Sequence, residues 1–258
     1  MTQTVLITGA SGGIGLELAR EFAAAGHTLI LTARSGQKLE QAKQEIEQQY
    51  GVPVALFVHD LAKPAEIEAL WTSVQEAGWS VDILVNNAGY GLFGPFAETD
   101  LQDELNMIDL NVRSLTQLTK LALQDMVKKG RGRILNVAST AAFQPGPLMA
   151  VYYATKAFVL SFSEALAKEL EDHGITVTAL CPGATATGFE ERANLQGSGL
   201  LKSGVMDART VARIGYDGTM RGKRVVIPGW RNRMLAQSVR FMPRKLVTTI
   251  VKKIQQKS

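Results

Sequence analysis

The chain has 258 residues, 46% of them hydrophobic, with a net charge of +4 at pH 7 and a pI near 9.2. That length suits one large α/β domain with a full core, and no run approaches the roughly 20 apolar residues needed to span a bilayer. Cys181 is the single cysteine, so no internal disulfide is possible and a reducing cytoplasm is the expected setting; His27, His59 and His173 lie far apart, so no metal site is expected. The start, Met1-Thr2-Gln3-Thr4, lacks the basic residues and cleavage pattern of a secretory signal. The mild basic excess suits a phosphorylated cofactor, an acyl-CoA or a membrane surface, or is simply a solvated face. No nucleic-acid motif is present.

In chain order, Val5 to Thr8 reads as a strand and Gly13 to Ala25 as the helix after it. Thr28 to Thr32 is a second strand, and Lys38 to Gln49 a helix with Leu39, Ala42 and Ile46 on one face. Val54 to Val58 is a third strand, followed by a helix from Pro64, where a first helical turn tolerates proline, to about Ala77. Asp82 to Val85 is the fourth strand, Leu101 to Lys129 one long helix, and Arg133 to Val137 the fifth strand. Val151 to His173 is a helix ended by Gly174, Thr176 to Leu180 the sixth strand, and Arg224 to Ile227 a seventh. Strands alternating with helices imply a parallel sheet covered on both faces. Gly188 to Met206 is glycine-rich and aperiodic and reads as a loop or lid, and in the basic tail Leu246, Val247, Ile250, Val251 and Ile254 form one apolar stripe.

Thr8-Gly9-Ala10-Ser11-Gly12-Gly13-Ile14-Gly15 joins the first strand to the first helix. A pyrophosphate there would meet unpaired backbone N–H groups and the positive end of the helix, and glycine lets the backbone approach it closely. The spacing is not G-x-G-x-x-G, and a glycine-rich turn can be only a tight turn; its place after the first strand favours a dinucleotide. NAD sites usually carry an acid at the end of the second strand, for the ribose 2′-hydroxyl. Here that place reads Thr32-Ala33-Arg34-Ser35. Arg34, with help from Ser11 and Lys38, suits a 2′-phosphate and favours NADP(H), unless it only points into water.

Tyr152 and Lys156 are four apart at the start of a helix and share a face; Tyr153, three from Lys156, competes for the same role. An ammonium beside a tyrosine favours phenolate and lowers its pKa, which makes the pair able to exchange a proton with an alcohol oxygen. Ser139, thirteen residues before Tyr152 and just past the fifth strand, lies where a parallel sheet binds ligands. Asn111 sits inside the long helix, where asparagine needs a partner if buried.

These residues, together with Asn86-Asn87-Ala88-Gly89 and Pro182-Gly183, resemble the short-chain dehydrogenase/reductase family in order and spacing over about the first 190 residues. The resemblance implies a single-domain Rossmann fold: a doubly wound, seven-stranded parallel sheet in the order 3-2-1-4-5-6-7 with helices on both faces. Residues 1–230 would form the NADP-binding and catalytic domain and 231–258 a basic helical extension of it. It selects Tyr152 over Tyr153 as proton donor, gives Lys156 the ribose and the tuning of Tyr152, Ser139 the substrate oxygen, and Asn111 a proton-relay water. Asp60, with Leu61 beside it, matches the adenine contact. Asn87, Ala88 and Gly89 match the adenosine ribose segment, and Pro182, Gly183, Thr185 and Thr187 the nicotinamide clamp. The segment Arg221 to Gly229 and the basic tail resemble a bacterial subgroup akin to long-chain ketoacyl reductases and 17β-hydroxysteroid dehydrogenases.

Pocket walls are expected at Gly91 to Phe96, Ala141 to Met149 and Ala184 to Leu201, with Phe93, Phe96, Phe143, Leu148, Met149, Phe189, Leu195, Leu200 and Leu201 as apolar lining. The expected activity is NADP(H)-dependent reduction of an apolar ketone or 3-oxoacyl-type substrate. The alternative is a silent NADP-binding sensor or scaffold, which the intact Asn111, Ser139, Tyr152 and Lys156 set opposes. A homodimer or homotetramer is expected, commonly built on the fourth and fifth helices. The tail is expected to pack on the body or a second subunit, with membrane-surface contact the lesser alternative.

Overall fold

A computed structural model describes residues 2–188 and 204–256. Its elements run β1 (Thr4–Thr8), α1 (Gly13–Ala24), β2 (Thr28–Ala33), α2 (Gly36–Tyr50), β3 (Val54–Val58), α3 (Pro64–Glu76) and β4 (Ile83–Asn86). Then follow α4 (Leu101–Ile108), α5 (Leu115–Lys129), β5 (Gly132–Val137), α6 (Ala150–Glu169) and β6 (Ile175–Leu180). The chain closes with β7 (Thr185–Ala186), β8 (Met206–Asp207), α7 (Ala208–Met220), β9 (Val225–Val226), α8 (Trp230–Ser238) and α9 (Arg244–Gln255). Seven parallel strands form a sheet in the order β3-β2-β1-β4-β5-β6-β9, the doubly wound arrangement expected.

Runs of consecutive residues in the central strands are buried because both faces are covered, whereas the edge strand β3 is mostly half-buried. Val5 and Ile7, with Leu29 and Leu31, pack against Leu18 and Phe22 of α1 and Val211 of α7. Leu6 and Ile30 point the other way, onto Ile67 and Trp71 of α3 and Leu118 and Met126 of α5. Pro64 opens α3 as expected.

Four expectations change. The expected helix Leu101 to Lys129 is α4 and α5 joined by a π-helical segment, Asp109–Ser114, and that widened turn carries Asn111. The expected Val151–His173 helix ends at Glu169, and a separate turn, Glu171–His173, leads to Gly174 at φ +66°. Between the sixth and seventh sheet strands no helix is legible in the sequence, yet α7 is there. Two glycines and β-branched residues depress its helix propensity, but tight packing requires the glycines. A Cβ on Gly215 would lie 2.7 Å from Leu180, and one on Gly218 2.4 Å from Val226. Asp207 caps α7 by accepting from the Thr210 N–H at 2.7 Å. Finally, the end of the expected loop is ordered, since Met206 and Asp207 pair in parallel with Thr185 and Ala186. The rest of that loop lies outside the described residues.

Candidate active site

The carboxyl ends of the central strands open onto one cavity of about 770 Å³. Gly9, Ser11, Gly12, Gly13 and Ile14 line it from the first loop, Arg34 and Lys38 from the end of β2, and Asp60 and Leu61 from the end of β3. Asn87, Ala88 and Gly89 enter after β4, Ser139 after β5, Tyr152 and Lys156 from α6, and Pro182, Gly183, Thr185 and Thr187 after β6. Gly15 and Asn111 are not in the wall and act through their neighbours.

The first loop is held by side chains from across the sheet. Thr8 Oγ1 accepts from the backbone N–H groups of Asn87 and Ala88, both at 3.0 Å. Asn87 Nδ2 donates to the carbonyls of Thr8 at 2.9 Å and Gly9 at 3.2 Å. Gly15 is forced: a Cβ there would lie 2.4 Å from both Asn87 Nδ2 and Gly9 O. Gly12 differs, because a Cβ there meets nothing within 4 Å and would grow into the cavity it lines. The first turn of α1 carries neither a side-chain cap nor an acid, so its N–H groups remain for an anion. The donor set and the space beside Gly12 fit a dinucleotide pyrophosphate.

At the end of β2, Arg34 is exposed on the cavity wall, while Ser35 caps α2 by accepting from the Lys38 N–H at 3.4 Å. Asp60 Oδ1 accepts from the Ala62 N–H at 3.3 Å, which shapes its turn. His59, which has no site role in the sequence reading, also lines the cavity and contacts Glu66 at 2.7 Å.

At the other end, Tyr152 is hydrogen-bonded to Ser139, whose Oγ accepts from the Ala141 N–H at 3.1 Å. Lys156 Nζ donates to the Val137 carbonyl at 2.8 Å and lies 5.8 Å from the centre of the Tyr152 ring. Burial governs both groups. It lifts the Tyr152 hydroxyl above the ordinary tyrosine range, only partly offset by the bond with Ser139. It also lowers the Lys156 ammonium to about 8, with a small opposing effect from Cys181. The Lys156 ammonium gives its hydrogen bond to Val137, and for the Tyr152 hydroxyl burial, not a neighbouring charge, is the largest influence.

Asn111 is buried and works as a fastener. Its Nδ2 donates to Tyr90 O at 2.9 Å and Thr155 Oγ1 at 3.1 Å, and its Oδ1 accepts from the Tyr90 N–H at 3.1 Å. This ties the segment after β4 to α6. One Oδ1 lone pair remains for a water.

Tyr153, on the same cavity wall, has a different partner from Tyr152. Its hydroxyl accepts from Gln255 Nε2 at 2.6 Å, and its ring meets Tyr152 edge-on at 6.0 Å. Gln255, fully buried near the end of α9, is a site residue the sequence reading missed, since 102 residues separate the pair. The signal was the spacing of Val247, Val251 and Gln255, which places all three on one helix face.

Among the described residues the apolar wall is narrower than expected. Ala141, Met149 and Tyr153 line the main cavity, and Phe93 packs behind them with Met107 and Tyr152. Leu92 to Pro95 lines a second cavity of about 430 Å³ with Glu98, Thr99, Asp100 and Asp103. Phe143 joins a core cluster with Ala138 and Leu160, and Phe96 is 63% exposed. Leu148 holds φ +67°, unusual for a non-glycine, and its carbonyl accepts from the Gly94 N–H at 2.8 Å. Phe189, Leu195, Leu200 and Leu201 lie outside the described residues.

Residues 3–197 match the family model described as short chain dehydrogenase. The chain is 40% identical over 212 residues to the granaticin polyketide synthase putative ketoacyl reductase 1 of Streptomyces violaceoruber, covering 81% of this chain and 76% of that one. It is 34% identical over 221 residues to a very-long-chain 3-oxoacyl-CoA reductase of Pyrenophora tritici-repentis, covering 84% of this chain but only 64% of that longer protein. A short-chain dehydrogenase from Sphingobium yanoikuyae, solved in complex with NADPH, superposes with a TM-score of 0.83 at 34% identity, covering 93% of this chain and 94% of that one. The chain belongs to the short-chain dehydrogenase family. It is an oxidoreductase of carbonyl and alcohol groups that works with a nicotinamide cofactor.

Proposed function

We propose that this protein reduces an apolar ketone or 3-oxoacyl-type substrate with NADPH. The observation that carries the reading is one continuous cavity with Arg34 and Lys38 at one end and Ser139, Tyr152 and Lys156 at the other. The absence of an acid at the end of β2, the NADPH bound to the Sphingobium relative and the ketoacyl reductase relatives support it.

NADPH would be held by the first loop, with Arg34, Ser11 and Lys38 at its 2′-phosphate, Asp60 and Leu61 at its adenine, Asn87 to Gly89 at its ribose, and Pro182 to Thr187 at its carboxamide; it supplies the hydride. Ser139 and Tyr152 both present hydroxyls to the carbonyl oxygen. As negative charge grows there, Tyr152 donates its proton and Lys156, still ammonium below about pH 8, steadies the phenolate left behind. Asn111 keeps the Tyr90 segment registered on α6, and its free lone pair suits a water that returns the proton through Lys156. Met149, Ala141 and Tyr153 face the apolar part of the substrate.

Residues 1–230 form the catalytic unit and 231–258 its extension. The protein is a cytoplasmic homodimer or homotetramer, for which the exposed Leu101, Leu105 and Ile108 on α4 offer an apolar face.

The test is a fluorescence titration with NADPH and NADH. Tight NADPH binding in wild type, weakened about 10- to 100-fold in Arg34→Ala with NADH unaffected, supports the cofactor assignment. Equal affinity for the two cofactors would sink it. Tyr152→Phe should bind NADPH normally and lose about 10²- to 10⁴-fold in ketone turnover.

A further inference from the structure

The charge of this molecule is divided sharply along the chain. Residues 218–258 contain eleven Lys and Arg and no Asp or Glu, which leaves seventeen basic against twenty-four acidic residues in the first 217. Eight of the eleven lie in 231–258, so a body of net −4 carries an extension of net +8, and the overall +4 conceals it.

The tail's inner surface is fixed on the active site. Val247 is buried, Val251 packs against the cluster of Met107, Met149, Tyr152 and Tyr153, and Gln255 bonds Tyr153. Ala236 of α8 sits in the cluster that holds Ala138 and Phe143. Asn232 fills the space beside Gly183, where a Cβ would lie 2.6 Å away.

Its outer surface is the reverse of an ordinary solvated helix. The expected single stripe of α9 splits: Val247 and Val251 face the body, while Leu246, Ile250 and Ile254, spaced four apart, face solvent. Just before them Phe241 is 88% exposed and Trp230 70%, with Met234 and Leu235 also exposed. Arg231, Arg233, Arg240, Arg244, Lys245, Lys252 and Lys253 lie among these, all exposed. None of the seven pairs with a carboxylate among the described residues.

We propose that the outer surface of α8, α9 and the turn between them docks the enzyme on an anionic membrane. Aromatic and aliphatic side chains interleaved with cations that meet no carboxylate among the described residues match the boundary between acyl chains and acidic headgroups. A second copy fits less well, because a two-fold contact through this surface sets cation against cation. Docked this way, the substrate end of the cavity, whose wall the same helices support, lies close to the bilayer. The proposal stands apart from the reaction assigned above, since neither cofactor nor substrate enters its test.

The full chain is sedimented with vesicles of phosphatidylcholine alone, and with vesicles of about three parts phosphatidylcholine to one part phosphatidylglycerol. Wild type should bind only the anionic vesicles, and less as salt rises. Lys252→Gln with Lys253→Gln should weaken partitioning about 25-fold, at about fivefold per charge removed. Phe241→Ser should weaken it further, and thermal melts of these exposed variants should match wild type. No binding to anionic vesicles overturns the proposal, as does equal binding by the variants. Loss of a dimer or tetramer in the variants, read by light scattering, overturns it in favour of a contact between copies.

Discussion

Replacing Lys156 by methionine removes a charge that folding takes out of water. The ammonium falls from 10.5 to about 8 on burial, so holding it charged in the folded protein at pH 7 costs about 3 kcal/mol. Methionine fills nearly the same volume without that cost. The Val137 carbonyl loses the partner it has at 2.8 Å, which returns about 1 kcal/mol. Lys156→Met should therefore be more stable than wild type by about 2 kcal/mol at pH 7 in urea unfolding, and should lose ketone reduction. The advantage has a pH signature. Below about 8 lysine is charged in both states and the cost is complete; as pH climbs from about 8 towards 10.5, folded lysine is neutral while unfolded lysine still binds its proton, so wild-type stability rises. The gap between the two proteins should close across that window. A methionine variant less stable at pH 7, or a gap that ignores pH, would refute the argument that desolvation sets the state of this lysine.

Three further outcomes follow from the same geometry. Gly12→Val should melt like wild type but lose NADPH binding, because its side chain enters only the cavity, whereas Gly15→Ala should destabilise through the clash with Asn87 and Gly9; reversed melting behaviour would contradict the first-loop geometry. Ketone reduction should be flat in kcat/KM up to about pH 8 and fall above it as Lys156 loses its proton, while alcohol oxidation, which needs the Tyr152 phenolate that burial resists, should gain with pH; an acid-limb loss near neutrality would contradict both signs. Gln255→Ala should cost about 1 kcal/mol in stability through the lost bond to Tyr153, and raise KM for bulky ketones more than it lowers kcat; an unchanged KM would show that α9 does not set the position of Tyr153 in the pocket wall.

Much of the site was legible because its residues sit at strand ends. Local patterns set those ends: the apolar run from Val5 to Ile7 before Thr8-Gly9, the Arg34 that follows β2, and the four-residue interval from Tyr152 to Lys156. Such features depend on neighbours within a few residues, so the chain alone encodes them. Tyr152 and Tyr153 could not be separated by helix spacing, and only the family resemblance chose between them. In the fold the two hydroxyls have different partners: the Tyr153 oxygen accepts from Gln255, while Tyr152 meets Ser139.

The sequence by itself determined the alternation of strands and helices, the anion-ready first loop, the missing acid after β2 and the segregation of positive charge in the tail. Tertiary structure alone decided the remainder. Helix α7 forms against its own propensity because Gly215 and Gly218 let it lie flush on Leu180 and Val226, and contact energy between distant segments outweighs local preference. The tail's apolar stripe was visible as a stripe, but which side chains the body would cover was not. That division, with Val247, Val251 and Gln255 inward and Leu246, Ile250 and Ile254 outward, depends on the surface of α6 onto which the helix docks. The effect of burial on Tyr152 and Lys156 was not legible for the same reason: spacing reports which groups are neighbours, whereas their titration follows how much water the finished fold leaves around them.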